Sequence, residues 1–340
     1  MTEDELPPTL VHQLLNLSPA DRVGILFDAF GTPLGQELAV ALAKADVESA
    51  ALFVPLHLQR GLAKKRALPR ILKHVIRWSS AFVVILSDDD LASPFRFSLV
   101  KALNKAGARV VHMPGVSKDL FLEATSGLDL SALRVRADWL LGIIGDAQEL
   151  AIATYDSAGN PHHLQLHVRS NTWSHDLDAA RPGRLAQIPC GELYVVPRER
   201  LTNGELVVRG AFPGFILNME DEAVLRFSRG RLQLRRSTFS GSARGQLFRR
   251  AVEESRALRA DNLVCEFGLG LNPGFVGVTG CSIRDQKVLG TAHITLGGNS
   301  ALGGTSRAAS RLAIAFEPGT VSADGEVIPM DTIAAAPEGL

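Results

Sequence analysis

Four segments of this chain set a charged or imidazole side chain in glycine-flanked, apolar surroundings. They are Ile188-Pro189-Cys190-Gly191-Glu192, Cys265-Glu266-Phe267-Gly268-Leu269-Gly270-Leu271-Asn272-Pro273, Gly290-Thr291-Ala292-His293-Ile294-Thr295-Leu296-Gly297 and Gly303-Gly304-Thr305-Ser306-Arg307-Ala308-Ala309-Ser310-Arg311-Leu312-Ala313. Glu266 ends the strand-like run Leu263-Val264-Cys265, and a carboxylate so placed must be paired, hydrogen-bonded or protonated. His293 lies inside a second such run. The glycines permit tight turns and close backbone approach. Two glutamates and a histidine that converge could hold a divalent metal. The bland account makes His293 a satisfied core histidine and pairs Glu266 with an arginine, and the residues alone favour it.

Other clusters read as structural. Alternation puts His163, Gln165 and His167 on one strand face, a spacing that can bind metal but more often lines solvent. Trp173 and His175, placed in a loop, could offer a stacking surface. Lys64, Lys65, Arg66, Arg70, Lys73 and Arg77 make a basic helical stretch, read as a solvated face. Cys190, Cys265 and Cys281 form no C-x-x-C pair and read as small buried hydrophobes. The run Gly297 to Gly304 could approach a ligand backbone, or simply make two tight turns.

The elements that must position these residues fall into two groups. Val23–Phe27, Ala50–Val54, Ala81–Leu86 and Ala108–His112 are short apolar strands that alternate with helices at Leu34–Ala45, Leu62–Trp78 and Phe95–Ala106. That order predicts a layered α/β domain with a parallel sheet over residues 1–150. Its first turn, Asp28 to Gly35, lacks both phosphate-binding glycine patterns, so this domain reads as scaffold or dimerisation element. From about Thr154 the pattern becomes strand-like, with turns at Asn160-Pro161, Pro182-Gly183, Asn203-Gly204 and Pro213-Gly214. Gly191–Val196 and Glu205–Arg209 are expected to pair around Asn203-Gly204. A helix follows over Arg244–Ala260. The second domain, 151–340, is thus α+β.

Composition narrows the function. The 340 residues carry 36 basic and 36 acidic side chains. A balanced chain has no global electrostatic pull toward nucleic acid or an anionic membrane. Met1 to Pro8 reads as no secretory signal, and no apolar run reaches the length of a membrane span. The expectation is a soluble, cytoplasmic protein.

The order of the four segments resembles the thermophilic-aminopeptidase family of metallopeptidases, whose fold 2,5-dihydroxypyridine dioxygenase shares. The similarity runs from Met113-Pro114-Gly115 to about Ile333. It implies a metallo-aminopeptidase-like second domain with metal-binding carboxylates at Glu192, in P-x-G-E, and Glu266, in E-x-G-x-G-x-N-P, and a histidine at His293, in G-T-x-H. The family takes two more ligands from an H-x-D triplet, and here that place reads Arg311-Leu312-Ala313. Arginine stays protonated and cannot ligate a cation. The resemblance therefore implies a degenerate, metal-free and cofactor-free site in which Arg311 offsets the charge of Glu266, with a mononuclear Glu192, Glu266, His293 site as the alternative. Aminopeptidase and ring-opening chemistry are not expected. A narrower resemblance is to the homodimeric peptide-binding proteins of crocagin-type ribosomal-peptide pathways. It implies a pseudoenzyme that binds a precursor peptide through Glu192, Glu266, His293 and Arg311, beside a modifying enzyme. The competing implication is an enzyme on the altered site, for peptide cyclisation or mononuclear metal chemistry, with Glu266 or His293 as base and Arg311 stabilising an anion.

Overall fold

The computed structural model describes residues 13–65, 68–88, 93–169, 172–177, 185–257, 262–308, 311–328 and 330. The chain divides into two compact units, Met1–Leu128 with Asp176–Cys190, and Asp129–His175 with Gly191–Leu340. The sequence predicts one boundary at residue 150; the first unit runs to Leu128 and also takes in the later segment Asp176–Cys190.

In the first unit the apolar runs form β1 (Arg22–Phe27), β2 (Glu48–Phe53), β3 (Ala81–Ile85) and β4 (Arg109–His112), joined by a late strand, β5 (Leu185–Gln187). The sheet order is β2-β1-β3-β4-β5 and every pairing is parallel. β3 is buried along its whole length, as a strand covered on both faces must be. Leu26, Phe82, Val84, Leu99 and Val110 lie together in the core. The turn after β1 is held by Asp28, whose carboxylate accepts from the amides of Phe30 and Gly31, from the Ser87 amide and hydroxyl, and from Gln59. Burial acts to raise the Asp28 carboxyl, but these hydrogen bonds outweigh it and hold it below its ordinary value.

The basic stretch is not one helix. It forms two α-helices on either side of Pro69, Leu56–Lys65 and Arg70–Trp78. Proline lacks the amide a helix interior needs and disfavours helical backbone in the residue before it. Leu72 and Ile76 face the core while Arg70, Lys73 and Arg77 are exposed. Arg66 lies outside the described residues.

The second unit holds two antiparallel sheets, of eight and seven strands among the described residues. Strand structure begins at Glu149–Tyr155, a little earlier than the sequence suggested. The eight-stranded sheet pairs Glu149–Tyr155 with Pro161–His167. His163 and Gln165 are exposed on one face, alternating with buried Leu164 and Leu166. The seven-stranded sheet contains β6 (Glu192–Val195), β7 (Val264–Gly270), β8 (Ala292–Gly297) and β9 (Arg311–Phe316), neighbours in the order β9-β8-β7-β6.

The expected hairpin around Asn203-Gly204 does not form. Asn203 and Gly204 begin the strand Asn203–Val208, which pairs with Ala223–Ser228 in the eight-stranded sheet, whereas β6 belongs to the seven-stranded one. Gly204 is required there by close approach: at φ 116° a Cβ would stand 2.1 Å from the His163 carbonyl oxygen. Asn-Gly thus marks a strand contact, not a turn. The helix near 250 spans Ala243–Ala257. The turn at Pro182-Gly183, the helix end at Ala260, Ala309-Ser310 and the stretch near Ile333 lie outside the described residues.

Candidate functional site

Strand register explains why four distant segments meet. Side chains two apart on a strand share a face. Gly270 pairs with Glu192, Gly268 with His293, Glu266 with Thr295, Thr295 with Ala313 and Gly297 with Arg311. Glu192, Glu266, His293, Thr295, Arg311 and Ala313 therefore share one face of four adjacent strands. Gly268 makes room at the centre: a Cβ there would stand 2.2 Å from His293 Cε1. The imidazole lies across the backbone of the neighbouring strand, which only glycine tolerates.

Two ion pairs close the site. Arg311 Nη2 lies 2.8 Å from Glu266 Oε2, and the Glu266 side chain is only 8% exposed. Thr295 Oγ1 donates to Glu266 Oε1 at 3.0 Å. The second pair joins Lys287 Nζ to Glu192 Oε1 at 2.5 Å, with the lysine fully buried. His293 is also fully buried. Its Nε2 stands 3.5 Å from Glu266 Oε1 and 3.7 Å from Glu192 Oε2. Neither ring nitrogen has a hydrogen-bond partner among the described residues. His293 is thus not the satisfied core histidine that the residues alone favoured. Its Nε2 faces two carboxylates at distances just beyond a good hydrogen bond.

Electrostatics follow from these contacts. Burial acts to raise the Glu266 carboxyl, but the Arg311 guanidinium and then His293 outweigh it and hold it well below the usual carboxylate range. Burial acts against the Arg311 charge, but Glu266 outweighs it and keeps the guanidinium protonated. A carboxylate held so far down is a poor general base, so the reading of Glu266 as base finds no support.

The resemblance implied that relatives of this fold hold metal here. The donor set does not fit one. The positions of the H-x-D pair carry Arg311 and Ala313, and each remaining carboxylate already has a cation against it. Two carboxylates, one lysine and one arginine cancel, so a divalent ion would bring an uncompensated double charge into a buried site. No group of three His, Cys, Asp or Glu side chains is arranged to hold a metal among the described residues.

Sequence reasoning missed Lys287 and Thr295. Lys287 sits in Gln286-Lys287-Val288-Leu289, where a single cation before an apolar pair was the available signal. Other expectations shift. Trp173 lies in a loop as expected but is buried and packs edge-on against Phe267 at 6.4 Å, and His175 belongs to a strand beside β6. The glycine run is closed by a short 3-10 turn, Ser300–Leu302, whose flanking Asn299 binds the Gly304 and Ser306 amides. Cys190 and Cys265 are buried, Cys281 is partly exposed, and none of the three forms a disulfide among the described residues.

2,5-Dihydroxypyridine dioxygenase from Pseudomonas putida KT2440 superposes with a TM-score of 0.69 at 15% identity, over 94% of this chain and 93% of that one. The chain shares its fold. Wild-type AmpT from Thermus thermophilus superposes with a TM-score of 0.55 at 15% identity, over 93% of this chain and 94% of that one. No family profile matches the sequence, and no curated protein does. At this identity the likeness concerns the fold alone. Among the described residues no helix is long and apolar enough to cross a membrane.

Proposed function

We propose that this chain is a metal-free peptide-binding protein that holds a precursor peptide during maturation of a ribosomally synthesised, post-translationally modified peptide. The observation that carries the reading is the 2.8 Å ion pair between Arg311 and Glu266. It occupies with a fixed cation the place where the resemblance expects metal ligands. A fold that keeps such a site while giving up the means to activate water is suited to holding a chain rather than cutting it. Arg311 is 24% exposed at its side chain, so its remaining donors can take a peptide carboxylate through two parallel hydrogen bonds. His293 is fully buried beside Glu266 and Glu192 and takes part by orienting those carboxylates. Glu192, Glu266, His293 and Arg311 are the proposed site residues. A homodimer and a modifying enzyme of the same pathway complete the proposal.

Fluorescence anisotropy with the short peptides encoded beside the gene tests it. One of them is expected to bind, and Arg311→Ala should weaken that binding about tenfold, the worth of a charge-assisted hydrogen bond. Protein purified without tag or chelator should carry far less than one metal per chain by plasma mass spectrometry. A full equivalent of metal that falls in Glu266→Gln, or no binding by any of those peptides, would defeat the proposal.

A further inference from the structure

We propose that a second site, in the same unit, binds acidic side chains of the peptide; this rests on the peptide-binding reading above. A cleft of about 620 Å³ opens between the segment after β6 and the turn that follows β8. That volume lies within the range of ligand sites. Val196, Leu201 and Leu302 give it an apolar wall, and Arg169 and Arg198 bring two guanidiniums to it.

The two arginines are available. Both are exposed, and neither has an ion pair or side-chain hydrogen bond among the described residues. Arginines of this protein that do have carboxylate neighbours use them, as Arg226 does with Glu205 and Arg209 with Glu222. The cleft holds one carboxylate, Glu199, and it is engaged elsewhere. Its oxygens accept from the Thr305 amide at 2.7 Å, from the Thr305 hydroxyl, and from Asn299 Nδ2 at 3.3 Å. Burial acts to raise the Glu199 carboxyl, but these bonds outweigh it and hold it below its ordinary value. Glu199 thus serves as a strut that fixes the turn to the segment carrying Arg198.

The frame is rigid on its other side too. The Arg198 amide donates to the His167 carbonyl at 2.7 Å, and the Thr172 hydroxyl donates to the Arg169 carbonyl at 2.6 Å. The backbones that present both arginines are therefore tied down, while the guanidiniums have no carboxylate partner among the described residues. Two forks beside an apolar wall match a carboxylate next to an aliphatic side chain. Phosphate shares the oxyanion chemistry but has no use for the wall.

The probe is a fluorescein-labelled hexapeptide of alternating leucine and glutamate, with a glutamine-for-glutamate counterpart and inorganic phosphate as competitor. The acidic peptide is expected to bind about tenfold tighter than its glutamine form, and to weaken as sodium chloride is raised. Arg169→Ala and Arg198→Ala should each lose about fivefold, the upper end for exposed charge pairs, while Arg198→Lys retains most of the affinity. Unchanged binding in the double alanine variant overturns this site and leaves the peptide reading standing if precursor-peptide binding persists. Failure of the wild type to bind either kind of peptide overturns both. Displacement by phosphate at concentrations equal to the peptide's overturns the assignment to carboxylates in favour of free phosphate.

Discussion

Replacing Lys287 by methionine should be the most damaging single change at the site. Methionine matches the lysine stem in length, so packing is kept while the charge goes. Lys287 is fully buried and its Nζ sits 2.5 Å from Glu192, whose side chain is 6% exposed. Removing one partner leaves a buried carboxylate without its cation, which costs about 3–5 kcal/mol. For a unit of this size each kcal/mol moves the melting temperature by about 2–4 °C. The expected fall is therefore about 6–20 °C, read by calorimetry or by a urea midpoint. Adding Glu192→Gln removes the stranded charge and should restore more than half of the loss, a coupling of the size seen for residues in contact. Lowering the pH should also help Lys287→Met relative to the wild type, because an unpaired buried carboxyl takes up a proton on folding. A loss below about 1 kcal/mol, or a double variant no more stable than the single, would refute the view that Lys287 and Glu192 form one buried charge pair.

Two further outcomes follow from the same geometry. Arg311→His with Ala313→Asp restores the H-x-D side chains on β9 opposite Gly297 and Thr295, and should gain about one zinc per chain in equilibrium dialysis where the wild type gains none. His112, buried at the end of β4, is held down to about 3 from 6.5, first by burial and then by the Arg96 charge. Its folded form binds fewer protons than the unfolded chain between those values, so it contributes stability above pH 6.5 that is lost as the pH falls toward 3. From pH 7 to pH 5 the loss is about 2 kcal/mol, and His112→Phe should remove that share of the acid sensitivity in urea titrations.

What the sequence showed and what it hid have physical causes. β1, β3 and β4 were legible because a strand buried on both faces is a continuous apolar run. The break at Pro69 was missed although proline acts locally, because the basic residues around it suggested one stretch. Asn203-Gly204 misled because the dipeptide is a turn signal only where flanking strands pair with each other. Here the neighbouring His163 carbonyl, not a hairpin, demands the glycine. The motif glycines and His293 pointed to one face because strand alternation is local. Lys287 did not, since a lone lysine is nearly always solvated and only its contact with Glu192 makes it part of the site. Trp173 was hidden for the same reason: its partner, Phe267, is distant in sequence.

The late strand β5 has a consequence for synthesis of the chain. β4 leaves the ribosome roughly seventy residues before its sheet neighbour β5; at 5–20 residues per second that is a wait of about 4–15 s. Throughout it, the Val110–His112 edge that β5 will cover is an open template for another strand. A nascent chain paused in that interval, or a gene cut at codon 128, displays a sticky parallel edge. The N-terminal sheet needs the segment up to Cys190, not only the residues to Leu128, so the two units are interleaved along the sequence.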